Sequence, residues 1–121
     1  VAKLVANKKF GPYRLYVPTT VGAYLDNDYT TAAPQNTIRE RLTKISGIQA
    51  IRTADMLPVT KVVLVQMTSD VLDVVTGMAP TLFPWTSADG FVFHNLVMAI
   101  QIPRVKYDYN NASGICVGTI A

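Results

Sequence analysis

Charge is scarce in this chain. Only 16% of its 121 residues are Asp, Glu, Lys or Arg, against about 25% in ordinary soluble domains. Glutamate occurs once, at Glu40, beside seven aspartates. With 50% hydrophobic residues, that balance excludes intrinsic disorder. It implies that much of the surface meets other protein, or that the chain is a piece of something larger. A single cysteine, Cys116, excludes an internal disulfide and a cysteine-based zinc site, and fits a reducing compartment. The single histidine, His94, has no second histidine with which to build a metal cage. Long apolar runs are missing too. The longest stretches without a charged residue, Val74 to Ala88 and Gly90 to Pro103, fall short of the ~20 residues of a spanning helix and contain proline. No membrane-spanning helix is expected. No basic-then-apolar leader follows Val1.

What is present reads as one α+β domain. The length suits a single hydrophobic core. Eleven basic against eight acidic residues give a net charge of +3, but no stretch concentrates it into a nucleic-acid-binding stripe. The densest cluster, Arg39, Glu40, Arg41 and Lys44, is the wet side of a helix. Val1 to Phe10 reads as a helix tail stopped by Gly11-Pro12. Tyr13 to Val17 is a short strand ending at Pro18. Thr19 or Thr20 is placed to cap a helix through Val21, Tyr24 and Leu25, which Asp26-Asn27-Asp28 breaks. Tyr29 to Asn36 is a polar loop, and Asn36 is the expected cap of the clearest helix, Thr37 to Ile45. Ile48 to Thr53 and Lys61 to Met67 read as strands, the second of them buried.

Ser69 to Met78 satisfies two patterns. Val71, Val74, Val75 and Met78 fit helical spacing, with Ser69 or Asp70 as a cap, yet the same residues are rich in β-branching. Further on, Val92, Leu96, Met98, Ile100 and Ile102 alternate over a dozen residues, which is strand periodicity and implies one buried face. Beyond Pro103 the parity changes: Arg104, Lys106 and Asp108 take the even positions, and Val105, Tyr107 and Tyr109 the odd ones. Pro103 is therefore expected to mark a bulge or bend. Asn110-Asn111 is a hairpin signal, with Ser113 to Ile120 as the returning strand. Residues 91–121 thus read as one long hairpin following an α+β core over 1–90. The sequon Asn111-Ala112-Ser113 reads as a turn.

The parts needed for enzyme chemistry are sparse. Asp70 and Asp73 would share a face if their segment were helical, but a cap with first-turn acids explains them. His94 lies within an apolar alternation and reads as structural. Cys116 sits between Ile115 and Val117 and reads as packing. Arg104 and Lys106 lie on the opposite strand face from Tyr107 and Tyr109, so they form no stacking platform for nucleic acid. No glycine-rich phosphate loop, G-x-S-x-G elbow or H-E-x-x-H helix is present. No catalytic residue and no cofactor or metal site is expected.

The succession GPYRLYVP, VGAYLDND, a polar loop, IRERLTKISGIQAI and KVVLVQM resembles the axial domain of Hong Kong 97-type capsid proteins, in an order similar to that of encapsulin shells. The closing stretch FVFHNLVMAIQIPRVKYDYNNASGICVGTIA resembles the long strands that return through the peripheral domain. The resemblance implies a Hong Kong 97-like fold: an axial domain over 1–90 and returning peripheral strands over 91–121. The chain would be the C-terminal part of a shell protein, without the N-terminal arm, extended loop and most of the spine helix.

The implied function is structural. The chain would be a phage or prophage major capsid subunit that assembles with copies of itself into pentamers, hexamers and an icosahedral head. It would touch packaged DNA only non-specifically and reside in the virion after assembly in the bacterial cytoplasm. By the resemblance, Asp28, Tyr29, Thr30, Thr31, Ala32, Ala33, Pro34 and Gln35 form the loop facing the capsomer axis. The small and polar character of Thr30 to Ala33 suits symmetry-related copies crowding an opening. Without the missing segments, the isolated chain is expected to be monomeric or weakly associated. An encapsulin-like compartment is the neighbouring reading. A small hydrolase or ligand-binding module using Asp70, Asp73 and His94 is the reading from another class.

Overall fold

Residues 1–29 and 36–120 are described by the computed structural model. Between the prolines at 12 and 18, Tyr13–Val17 runs extended as β1. It lies inside a four-stranded sheet that gathers most of the β-branched words of the chain. Ile48–Thr53 forms β2, parallel to β1, and Lys61–Gln66 forms β3, antiparallel to β1. Ile115–Thr119 forms the last strand of this sheet, antiparallel to β3, so the order is β2, β1, β3 and then that strand.

Side-chain alternation gives this sheet one helix-covered face. Tyr13, Leu15 and Val17 share it with Leu64 and Cys116. The first helix, α1 (Ala2–Ala6), contributes Leu4 to a cluster with Tyr13 and Leu64. Next to it, α2 (Thr19–Leu25) and α3 (Ile38–Thr43) bring Leu25, Ile38 and Leu42 against Val17 and Ile51. Leu4, Tyr13 and Val17 are each 1% exposed, so this face is the core.

The helix caps differ from those expected. Thr37, not Asn36, caps α3: its side-chain oxygen accepts from the Glu40 backbone N–H at 3.2 Å. This Thr-x-x-Glu spacing satisfies a backbone donor that Asn36, one residue earlier, cannot reach. Pro18 occupies the N-cap of α2, and the Thr19 hydroxyl bonds Asp55 instead.

The larger departure begins at Ser69. No helix forms there. Leu72–Thr86 is a strand, β4, paired antiparallel with Phe93–Val105, β5, in a separate two-stranded ribbon. The final strand of the chain, Ile115–Thr119, is β6. The closing stretch is therefore divided: β5 pairs backward with β4, and β6 joins β3 in the other sheet. The Asn110-Asn111 turn does form, with Asn111 at φ 58° and Asp108 Oδ1 accepting from the Asn110 and Ala112 N–H groups. It leads the chain into β6 and does not fold β6 back on β5.

Candidate assembly surfaces

The ribbon of β4 and β5 is an arm with both faces open. Thirteen residues of β5 rise roughly 44 Å at strand spacing. Its tip is closed by Ser87, Ala88, Asp89 and Gly90. The Ser87 N–H bonds the Val92 carbonyl at 2.9 Å, the Ser87 hydroxyl donates to the Asp89 carboxylate, and Gly90 stands at φ 77° where a side chain would be strained. The bond from Ser87 lowers the Asp89 carboxyl below its ordinary range.

Pairing across the arm sorts its side chains into two faces. Trp85 with His94, Phe83 with Leu96, Met78 with Ile100 and Val75 with Ile102 occupy one of them. This is the even face of β5 that the alternation singled out. It is not buried: Leu96 is 45% and Ile102 63% exposed. Alternation reports an extended backbone, and two strands alone supply no layer to cover it. His94 stacks on Trp85 with ring centroids 5.0 Å apart and 14° between planes.

The ladder passes through Pro103 without a shift, in register with Val74. A ribbon gives every strand a free side, where a missing N–H is tolerated. The irregularities lie on the opposite strand, between Thr76 and Met78 and between Met78 and Thr81, at Gly77 and Ala79-Pro80. The parity change after Pro103 marks something else, the point where the apolar face gives way to an ionic root. Asp73, directly opposite Arg104, accepts from its Nε at 3.0 Å and its Nη2 at 2.6 Å. Lys106 Nζ lies 3.0 Å from the same carboxylate and donates to the Ser69 carbonyl at 2.8 Å. Nearby, Lys9 pairs with Asp70 at 3.0 Å. Asp70 is lowered by the Thr68 hydroxyl and then by Lys9. Hydrogen bonds from Arg104 and then Lys106 hold the Asp73 carboxyl down to about 2.

Because that value lies below the ordinary 3.8, the root is fully paired above pH 3.8 and loses its pairing as pH falls through about 2. Carboxyl-carbon NMR should place the Asp73 midpoint near 2. In Arg104→Ala it should move upward toward the ordinary value. An unmoved midpoint would show that Arg104 does not hold the carboxylate.

Asp70, Asp73 and His94 do not converge. Ten residues of extended strand, about 34 Å, separate the level of His94 from that of Arg104 and its partner Asp73. A hydrolase built on these three residues is therefore excluded by geometry. Among the described residues no group of three His, Cys, Asp or Glu is placed to hold a metal ion. No helix among them is long and apolar enough to cross a membrane. Cys116 is free and half-buried against the core. A cavity of about 250 Å³ lies between Ala6, Lys8, Asp108 and Ala112.

Of the loop assigned to the capsomer axis, Asp28 and Tyr29 are described, and 30–35 lie outside the described residues. The mouth of the loop is tied shut. Asp28 bridges Thr37, and the Tyr29 N–H bonds the Asn36 carbonyl at 3.0 Å. The Arg41 guanidinium stands 3.9 Å above the Tyr29 ring, and Arg39 clamps Asp26 at 2.6 and 3.1 Å.

With this geometry in place, a protein-family model described as "Family of unknown function (DUF6260)" matches residues 1–118. The chain belongs to that family. Among solved structures, the DUF6260 chain is similar to a virus-like particle from Pyrococcus furiosus, with a TM-score of 0.65 and 26% identity. The likeness covers 95% of this chain and 45% of that one, so the DUF6260 chain spans less than half of its neighbour. No curated protein matches it. The exposed arm was the feature that sequence reasoning missed, although Asp89-Gly90 is a hairpin signal standing between two β-rich segments.

Proposed function

We propose that this chain is the shell-forming part of a phage or prophage major capsid protein with the Hong Kong 97-like fold. The observation that carries the reading is the likeness, over nearly the whole chain, to a protein of a virus-like particle. In this reading the four-stranded sheet with its helices is the axial domain, and the ribbon is the peripheral part, beginning at Leu72 rather than at residue 91. Copies of the full-length protein form pentamers and hexamers and close an icosahedral head around DNA, which they contact without sequence preference. The protein assembles in the host cytoplasm and ends in the virion. Its role is structural, and it uses no cofactor.

The 28–35 loop faces the capsomer axis in this arrangement. Its tied mouth supports that role, since Arg39 and Arg41 fix where the loop leaves the domain. Thr31→Glu combined with Ala32→Glu would bring five or six copies of like charge together. The expected result is an unchanged melting temperature for the chain and a loss of closed particles from the full-length protein. Normal particles from that double variant would remove the loop from assembly. Electron microscopy of the full-length protein tests the wider reading. Closed particles holding nuclease-protected DNA support it, particles filled with protein point to a compartment, and an absence of particles overturns it.

A further inference from the structure

We propose that the open face of the four-stranded sheet binds the phosphate backbone of duplex DNA through Arg14, Arg52 and Lys61. The inference deepens the shell reading above and rests on it for the identity of the polyanion. Helices α1, α2 and α3 all pack on the other face of this sheet, against Tyr13, Val17, Ile51 and Leu64. Alternation then assigns the open face. Across the strands, Arg52, Tyr16, Val63 and Val117 form one row, and Ala50, Arg14, Val65 and Ile115 the next. Lys61 follows on the same face, opposite Thr119. Val117 is 58% exposed, and Arg52 and Lys61 stand in solvent.

Charge is sorted between the two faces. The four strands hold three cations and no acid, and all three cations lie on the open face. Positions 14, 52 and 61 are far apart in sequence, which is why no basic stretch announces them. At strand spacings their Cα atoms fall within about 14 Å of one another. Among the described residues none of the three enters an ion pair, unlike Lys9, Arg39, Arg104 and Lys106. Arg14 is half-buried, and its Nε is buried without a hydrogen-bond partner, so no carboxylate answers this guanidinium.

The occupant must therefore bring negative charge, because covering unpaired cations with apolar surface leaves them desolvated. A second copy of the chain is a poor source. Six of its eight carboxylates are already engaged, those of Asp26, Asp55, Asp70, Asp73, Asp89 and Asp108. Two such faces would set cation against cation. Duplex DNA carries a charge every ~1.7 Å along its axis, so a patch of this breadth meets phosphates whatever the sequence. Val63 and Val117 offer bases no hydrogen bonds, which leaves the contact without sequence preference.

The test uses unassembled subunits of the full-length protein and a short fluorescein-labelled DNA duplex. Anisotropy is read over a series of salt concentrations. Binding that weakens steeply with salt, and equally for two unrelated sequences, is expected. Arg14→Gln with Arg52→Gln should weaken it about tenfold or more and lower the slope of log affinity against log salt by about 2. Arg52→Gln with Lys61→Gln, which leaves the half-buried Arg14 in place, should do the same with unchanged circular dichroism. Lys3→Gln with Lys44→Gln removes the same charge from α1 and the end of α3, and should leave both readings unchanged. Equal losses from that control pair reduce the effect to net charge and overturn the proposal. So does an absence of binding by wild type, the result if an acidic segment of the same polypeptide covers the face. The two readings fail separately. Face-dependent binding by a protein that forms no particles keeps the DNA face and removes the shell. Particles whose subunits bind duplex equally well in wild type and the Arg14–Arg52 double variant do the reverse.

Discussion

Tyr13→Ala is expected to destabilise the chain by about 3–5 kcal/mol, the range for emptying a large aromatic site in a core. Tyr13 is 1% exposed and packs with Leu4 and Leu64. Its hydroxyl donates to the Lys9 carbonyl, and burial pushes its phenol pKa upward. The ring also lies under Gly47, where an added Cβ would approach it to 3.0 Å. Truncation thus empties the junction of α1, β1 and β3 at once. A domain of this size has about 5–15 kcal/mol in total, so the variant should lose a large share of its stability. Leu96→Ala, on the open arm, should cost less than about 0.5 kcal/mol in the isolated chain. Urea melts of the two variants beside wild type measure the difference. Comparable losses would mean that the arm and the sheet share one core.

The second large effect is expected at Gly114. A Cβ there would stand 2.4 Å from Val71 Cγ2 and 2.6 Å from its Cγ1. Val71 is fully buried. Gly114→Ala should therefore cost about 1–3 kcal/mol by overpacking. The same site joins the two sheets. The Gly114 carbonyl accepts from the Gln66 N–H at 2.9 Å, and the Val71 carbonyl accepts from the Lys106 N–H at 2.8 Å. If the cost comes from this one contact, adding Val71→Ala should recover part of it, making the double variant more stable than Gly114→Ala alone. Additive losses in thermal melts would place the cost elsewhere.

The strands of the main sheet were legible because each is a short β-branched word bounded by proline, glycine or a turn. Tyr13–Val17 and Ile48–Thr53 occupy the spans their sequences predict. The helix at Ile38–Thr43 was legible from its spacing, with its cap misplaced by one residue and its end, expected at Ile45, two residues too late. What failed was β4, for an identifiable reason. Its two register shifts, at Gly77 and Ala79-Pro80, add a residue each and scramble the alternation. Val71, Val74, Val75 and Met78 are left at helical spacing. In β5 the alternation survives, but period alone does not say whether a second layer lies over the face. Pairing was ambiguous as well, since Asp89-Gly90 and Asn110-Asn111 are both turn signals and only the first closes a ribbon. The alternative enzyme site dissolved because residues near in sequence, Asp70 and Asp73, lie at the root of an arm that carries His94 toward its far end.

Ion pairs thus mark where the arm begins, and a backbone bond closes it off from the rest of the chain. The Lys106 N–H meets the Val71 carbonyl across the point where the arm leaves and re-enters the sheet domain. Everything from Leu72 to Val105 is, in connectivity, an insertion with touching ends. Its length is consequently a free parameter of the design. Adding two residues to each strand would extend the arm by about 7 Å and keep every side chain on its face. The four-stranded sheet would register no change. Reach of the arm and stability of the fold can therefore be set independently, by different stretches of one short polypeptide.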